Sequence, residues 1–398
     1  MKLRTHRKID KMILTTEGNI TYNRYVLRPE DTESAHKLME LEGAKAIVPL
    51  DILLGIADLP FKISVPMMLE ICYWAAKTGS YQDAEDFFKR TKSITLSDDT
   101  IRKVVNYIGG IVFDEDCLLA KNCETALNSK VWEASYSKKG TLYLQTDGAA
   151  LNTRTKDQND STWRENKLGL AFSSDHIYYW KNAKGETQHR IQRREYISYI
   201  GSVQEFKYHF FALALRAGYG EYTDTVILSD GASWIRAIKN ELFPDAQQIL
   251  DLFHLKENTY EFAKHLFGDK KEKYAPWAED MCEQLEKGKW QDVLKKLEKY
   301  KELPAKPGAV NLYTYINNNR DNIDYPTYKA KGYFVGSGAI ESGNKIVLQN
   351  RLKLPGMRWN VPTAQCMLSL KAKLESNLWD STVVPMVSRR MKQLSFLQ

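Results

Sequence analysis

Two short strings in the sequence carry the same chemistry. Leu142-Tyr143-Leu144-Gln145-Thr146-Asp147-Gly148-Ala149 and Val226-Ile227-Leu228-Ser229-Asp230-Gly231-Ala232 each run an apolar stretch into a small hydroxyl residue and then Asp-Gly-Ala. Asp-Gly is also a common turn signal, so either copy alone reads as a plain turn. Two copies in one context predict a pair of carboxylates at strand ends. A third acid, Glu341, stands in Gly336-Ser337-Gly338-Ala339-Ile340-Glu341-Ser342-Gly343-Asn344-Lys345, a small-residue lead into a helix. A first-turn Glu can simply offset the helix dipole, but this one lies among Lys345, Arg351, Lys353 and Arg358. Three carboxylates brought together without a cation repel and raise one another's pKa. Magnesium with oxygen ligands relieves that repulsion and keeps sites for water and phosphate. Two such ions about 3.5–4 Å apart can activate an attacking oxygen and steady a leaving one in phosphoryl transfer.

The elements that must position these acids follow from periodicity. Met12 to Thr16 and Ile20 to Val26 flank Glu17-Gly18-Asn19 and read as a hairpin. From Val65 to Ile111 the pattern is helical: Ser80 to Asp83 has capping-box spacing, and Ile101, Val104, Val105 and Ile108 share one helix face. A turn around Ser93 to Ser97 separates two helices. Their arrangement resembles a helix-turn-helix that would offer Arg102 and Lys103 to a DNA groove, although Asp98 and Asp99 would oppose phosphates there. Short runs at Leu142–Leu144, Leu168–Phe172, Ile177–Trp180 and Ile191–Ile200 read as strands. Val203–Ala217 and Ile235–Phe243 read as helices, with strands at Val226–Leu228 and Gln248–Leu250. Strands alternating with helices predict an α/β sheet. His254 to Asn319 is Lys/Glu-laced and helical, with Trp277, Trp290 and Leu294 expected as buried anchors.

Composition narrows the classes. The chain has 398 residues, 57 Lys and Arg against 50 Asp and Glu, and 43% hydrophobic residues, which suits a folded protein with two or three cores and excludes a disordered tail or fibre. No apolar run reaches the ~18 residues that a spanning helix needs, so no membrane partner is expected. The basic start Met1 to Lys8 lacks a following apolar segment, which argues against secretion. Five cysteines without a CxxC pair predict free thiols in a cytoplasmic protein. The net charge of +7 is concentrated: residues 325–398 hold eleven Lys and Arg against Glu341, Glu375 and Asp380. Such a segment suits a polyanion.

These residues resemble the DDE transposases of bacterial insertion sequences, of the Lre type related to the Kra and Mutator-like groups, over about Leu142 to Trp359. Trp163-Arg164-Glu165-Asn166-Lys167-Leu168-Gly169 and Arg351-Leu352-Lys353-Leu354-Pro355-Gly356-Met357-Arg358-Trp359 also fit the family. The resemblance implies an RNase H-like α/β core with a helical insertion and a mainly helical N-terminal region. It implies that Asp147, Asp230 and Glu341 are catalytic ligands of two Mg (or Mn) ions. Asp251-Leu252-Phe253-His254 is similar to the family's (Cys/Asp)-x-x-His element, which makes His254 a further site residue. A lone His at a helix start is more often structural.

The expected division is 1–138 (hairpin and helical, DNA-facing), 139–257 (first part of the core), 258–325 (insertion) and 326–398 (basic, carrying the last acid). The family usually has a longer N-terminal region, so end-recognition elements are expected to be missing. Expected partners are double-stranded DNA, both element ends and target, and further copies of the chain in a dimer or larger assembly, in a bacterial cytoplasm at the nucleoid. Lys345, Arg351, Lys353 and Arg358 are the expected phosphate contacts, although Lys345 could equally pair with Glu341 one turn away. Two alternatives stay open: a nuclease without strand transfer, and a non-catalytic DNA-binding remnant or repressor. A nucleotide hydrolase does not fit, because Asn344 follows Gly343 where a phosphate loop needs Lys.

Overall fold

The computed structural model describes residues 1–57, 59–129, 132–304 and 310–396. The chain opens with strands β1 (Leu3–Thr15) and β2 (Gly18–Pro29) and helices α1 (Thr32–Glu42), α2 (Pro49–Leu53), α3 (Val65–Lys77), α4 (Tyr81–Lys92) and α5 (Asp98–Asn128). Strands β3 (Lys138–Asn152), β4 (Trp163–Ser173), β5 (Ile177–Lys181), β6 (Thr187–Ile191) and β7 (Glu195–Ile200) follow. Helix α6 (Val203–Arg216), β8 (Tyr222–Ser229), α7 (Ser233–Leu242) and β9 (Gln247–Leu250) complete the sheet region. Then come α8 (Leu252–Phe267), α9 (Lys271–Glu286), α10 (Trp290–Leu297), α11 (Leu312–Asn319), α12 (Tyr325–Ala330) and α13 (Gly338–Gly343). A π-helical stretch (Asn344–Gln349), α14 (Asn350–Leu352), α15 (Val361–Glu375) and α16 (Val384–Phe396) end the chain. The fold is mixed α/β with a mixed sheet.

The chain forms two compact units, one of residues 1–116 with 350–398 and one of residues 117–349. In the first unit, Thr15 pairs with Gly18 across the β1–β2 turn, where Gly18 has φ +104°. The expected hairpin is present and longer than the apolar runs alone suggested. Ser80 accepts a hydrogen bond from the Asp83 N–H and starts α4. Ile101, Val104, Val105 and Ile108 are fully buried on one face of α5. This unit pairs its buried aspartates with cations. Asp51 accepts from Lys11, Arg24 and the Tyr22 hydroxyl, and Lys373 Nζ donates to Asp116 at 2.5 Å.

The second unit is built on a five-stranded sheet of order β7-β4-β3-β8-β9. Strands β7, β4 and β3 pair antiparallel, whereas β3, β8 and β9 run parallel. Successive side chains alternate between faces, so Leu142 and Leu144 point opposite to Tyr143, Gln145 and Asp147. The Leu142 face packs against Phe206, Phe210 and Phe211 of α6 and Ile235 and Ile238 of α7. A capping box between Ser202 and Glu205 starts α6. The stretch Ile191–Ile200, read as one strand, divides into the end of β6 and β7. Arg193 and Arg194 interrupt its alternation, and β6 joins β5 in a separate ribbon.

The helices after β9 match the expected helical segment, with a correction to its anchors. Trp277, Trp290 and Leu294 are only partly buried. Met281, Leu285, Val293 and Leu297 fill that interior instead.

Candidate active site

Strand β3 places Asp147, and strand β8 leads directly into Asp230. In the parallel register Gln145 lies opposite Leu228. Each Asp follows two residues later, so both belong to the same sheet face; the expected strand-end position holds for Asp230 alone, because Asp147 lies within β3, which runs on to Asn152. Strand β3 continues, with Asp147 opposite Leu168 of β4, while β8 stops at Ser229. Asp230 Oδ1 accepts from the Ala232 N–H at 2.9 Å, and the Tyr315 hydroxyl donates to the Asp230 carbonyl at 2.6 Å. Gly231 has φ +90°, and a Cβ there would lie 2.9 Å from Leu250 Cδ1. Only glycine fits both the left-handed turn and the close approach.

Asp147 is half-buried. Its Oδ1 accepts from the Gly148 N–H at 2.7 Å and its Oδ2 from Asn344 Nδ2 at 2.6 Å. Burial raises its pKa above the ordinary carboxylate value, and the Asp230 charge adds to that rise. The Gly148 N–H, His254 and Asn344 act in the opposite direction. No Lys or Arg ion pair with Asp147 occurs among the described residues. Asn344 Oδ1 is buried and has no hydrogen-bond partner among the described residues, which leaves a hard oxygen beside the carboxylate.

Glu341 comes to this face on α13. The Ile340 N–H donates to Gln145 Oε1 at 2.9 Å, a buried bond that ties α13 to the strand carrying Asp147. A Cβ on Gly343 would come within 2.7 Å of the Tyr196 ring, so the helix lies close against the sheet. The π-helical stretch begins one residue later at Asn344; single π turns recur at functional sites. The Glu341 side chain is 55% exposed, and its Oε1 is 3.9 Å from His254 Nε2, beyond a direct hydrogen bond.

Asp251 explains the Asp-x-x-His spacing in structural terms. It is fully buried, caps α8 by accepting from the His254 N–H at 2.8 Å, and accepts from the Ser337 N–H. It thus fixes the starts of α8 and α13 together. His254 and Glu341 open onto a cleft of about 830 Å³, bordered also by Lys256, Tyr260, Lys264 and Tyr274.

Among the described residues, no three His, Cys, Asp or Glu side chains lie close enough to hold a metal ion together. The donors at this face, the Asp147, Asp230 and Glu341 carboxylates and the Asn344 amide oxygen, are nevertheless all hard oxygens of the kind magnesium and manganese take.

The expected DNA contacts are distributed differently. Lys345 is exposed and makes no ion pair with Glu341 among the described residues; Lys353 and Arg358 are also exposed. Arg351 is 1% exposed: its Nε donates to the Ala75 carbonyl, and its guanidinium lies over the Tyr81 and Trp359 rings at 4.6 and 5.2 Å. That position supports packing and offers nothing to a phosphate. Lys371 and Lys373 are buried too, so the basic segment presents fewer cations than its composition implied. Arg102 and Lys103 both pair with Asp99 on their own helix.

Gln145, Asn344 and Tyr315 contribute to the site without a sequence signature for it, whereas Asp251 was already part of the Asp-x-x-His string. For Gln145 a signal was available, since it stands two residues before Asp147 and therefore on the same face. No family model matches this chain, and no curated protein matches it.

Proposed function

We propose that the chain is a DDE-type DNA transposase with an RNase H-like core, cleaving insertion-sequence ends and joining them to target DNA by metal-dependent phosphoryl transfer. The observation that carries this reading is Asp147: a half-buried carboxylate whose pKa is raised by burial and by Asp230 just beyond the neighbouring parallel strand, with no cation paired to it among the described residues. Such a pair favours a bound cation. Asp147, Asp230 and Glu341 would hold magnesium or manganese, with Asn344 Oδ1 available beside them. When bound, the metal supplies a Lewis acid that lowers the pKa of water and offsets charge on phosphate.

The protein's own groups have distinct tasks. The Gly148 N–H and Asn344 hold the Asp147 carboxylate in one orientation, and Tyr315 fixes the Asp230 turn from its carbonyl. Gln145 and Asp251 anchor the start of α13, which sets where Glu341 can reach. His254, near Glu341, serves as a positioning or DNA-contacting group. Lys345, exposed one turn beyond Glu341, would meet phosphate. The sheet order, three antiparallel strands followed by two parallel ones, supports the RNase H-like assignment. DNA ends, target DNA, self-assembly into a dimer or larger and action at the bacterial nucleoid belong to the same proposal.

The deciding experiment is nicking of element-end DNA with magnesium or manganese. Asp147→Asn is expected to reduce nicking to background while duplex binding is retained. Undiminished nicking removes Asp147 from the chemistry. Joining of pre-cut ends to a target plasmid separates a transposase from a nuclease that only cuts.

A further inference from the structure

Strands β5 and β6 form a ribbon of their own, outside the five-stranded sheet. A two-stranded hairpin is marginal in water unless something holds it. Here the tip is held by Asn182, whose Oδ1 accepts from the N–H groups of Lys184 and Glu186 and whose Nδ2 donates to Glu186 Oε2 at 2.7 Å. The base is held by the Gln192 N–H donating to the His176 carbonyl, and the middle by the His189 ring lying 4.7 Å from that of Phe334. The ribbon is therefore formed in advance.

Its residue content is unusual for solvent. Tyr178, Tyr179 and Trp180 are 56%, 52% and 41% exposed. Tyr178 and Trp180 share a face and lie nearly parallel, with ring centroids 6.0 Å apart and planes 20° from each other. Register places Arg190 opposite Tyr178 and Gln188 opposite Trp180, on that same face. From Ile177 to Arg194 the chain carries Lys181, Lys184, Arg190, Arg193 and Arg194 against one acid, Glu186, which Asn182 already engages. Among the described residues, Lys181, Lys184 and Arg190 enter no ion pair, whereas Arg193 pairs with Glu195.

Parallel exposed rings flanked by unpaired cations match one chemistry: unstacked bases on the rings, with the phosphates of the same strand on the cations. Duplex bases are already stacked and offer no face to Tyr178 or Trp180. We infer that the β5–β6 ribbon is a binding arm for single-stranded DNA, with Tyr178 and Trp180 stacking bases and Arg190, on their face, holding the backbone. This deepens the transposase reading only in the source of the strand, an end opened during cleavage. Strand rise puts Asp147 about 13 Å beyond Tyr143, whose ring lies 5.1 Å from that of Phe334, the residue supporting the ribbon.

The test is fluorescence anisotropy of a labelled 20-nucleotide oligothymidine and a labelled 20-base-pair duplex, titrated with the full chain. Tyr178→Ala and Trp180→Ala are each expected to weaken oligothymidine binding by about 5- to 100-fold, with duplex affinity changed less than about two-fold. Arg190→Gln is expected to lower the salt slope for the single strand by about 0.7. The rings are exposed, so thermal melting by circular dichroism should match wild type and show that the variants fold. Unchanged oligothymidine affinity in both ring variants overturns the proposal. So does conversion of an oligomer to monomer in sedimentation with oligothymidine affinity intact, which would make the ribbon a self-association surface. The transposase reading fails on separate grounds, Asp147→Asn nicking normally, and that result leaves the binding measurements as they are.

Discussion

The first unit and the Asp147 face of the second unit's sheet treat enclosed carboxylates in opposite ways, although elsewhere in the second unit the buried Glu195 is paired with Arg193 and Arg216. In the first, Asp51 and Asp116 are almost fully buried and each is met by the chain's own cations, Lys11 and Arg24 for one and Lys373 for the other. At the second unit's sheet face, Asp147 is half-buried, faces another acid across a parallel strand pair and has only neutral N–H donors and a distant His as relief among the described residues. A buried charge with an internal partner is part of the framework, and removing either partner leaves the other uncompensated. A partly buried charge without one costs stability until protons or an external cation arrive. The difference therefore separates carboxylates that hold the fold from one that the fold holds in readiness.

The sharpest way to break this contrast is at Asp116. Lys373 and Asp116 are 2% and 4% exposed at the side chain, so Asp116→Ala strands a buried ammonium and is expected to destabilise by about 3–5 kcal/mol. Urea denaturation reads this directly. The double replacement Lys373→Met with Asp116→Leu should recover most of the loss, and a double variant as unstable as the single would show that the pair does more than compensate charge.

A smaller effect is expected at Tyr315, whose hydroxyl bonds the Asp230 carbonyl from a largely buried position. Tyr315→Phe keeps the ring and removes the bond, a loss of about 0.5–1.5 kcal/mol. Because the lost bond fixes the turn that carries Asp230, metal-dependent nicking should fall by more than the stability change alone accounts for. A variant with reduced stability and unaltered nicking would assign Tyr315 to the framework only.

Much of the candidate site could be read from residue order, because its acids lie in strongly patterned segments. The apolar runs before Asp147 and Asp230 became adjacent parallel strands, and the small residues around Glu341 allowed α13 to lie against Tyr196. What stayed hidden depends on partners distant in sequence. Arg351 looks like a phosphate contact until Tyr81, Trp359 and the Ala75 carbonyl enclose it. Lys373 looks solvated until Asp116 meets it. The division of Ile191–Ile200 into two strands was equally hidden, since β-rich composition does not say which sheet a strand will join. Trp277 and Trp290 are large rings that stay partly exposed, and the smaller Val293 and Leu297 take the buried positions.

The finest distinction lies in the stability of Asp147→Asn. The folded state raises the Asp147 pKa above its ordinary value of 3.8, so between those two values the native protein binds more protons than the unfolded chain. Stability therefore falls as pH rises through that window, and at neutral pH the full cost of the ionised group is present. Replacing it by Asn removes that cost, and a flip of the Asn344 amide lets its unpartnered Oδ1 accept from the new side chain. The variant should melt about 1–4 °C above wild type at pH 7 without divalent ions. That advantage should shrink as pH drops toward 3.8 and both proteins become neutral at this position. Magnesium or manganese should raise the melting temperature of wild type and leave the variant nearly unchanged, because a ligand bound only by the native state stabilises in proportion to its affinity. A variant less stable than wild type at every pH, with the same response to magnesium, would place Asp147 with Asp51 and Asp116 and remove the contrast.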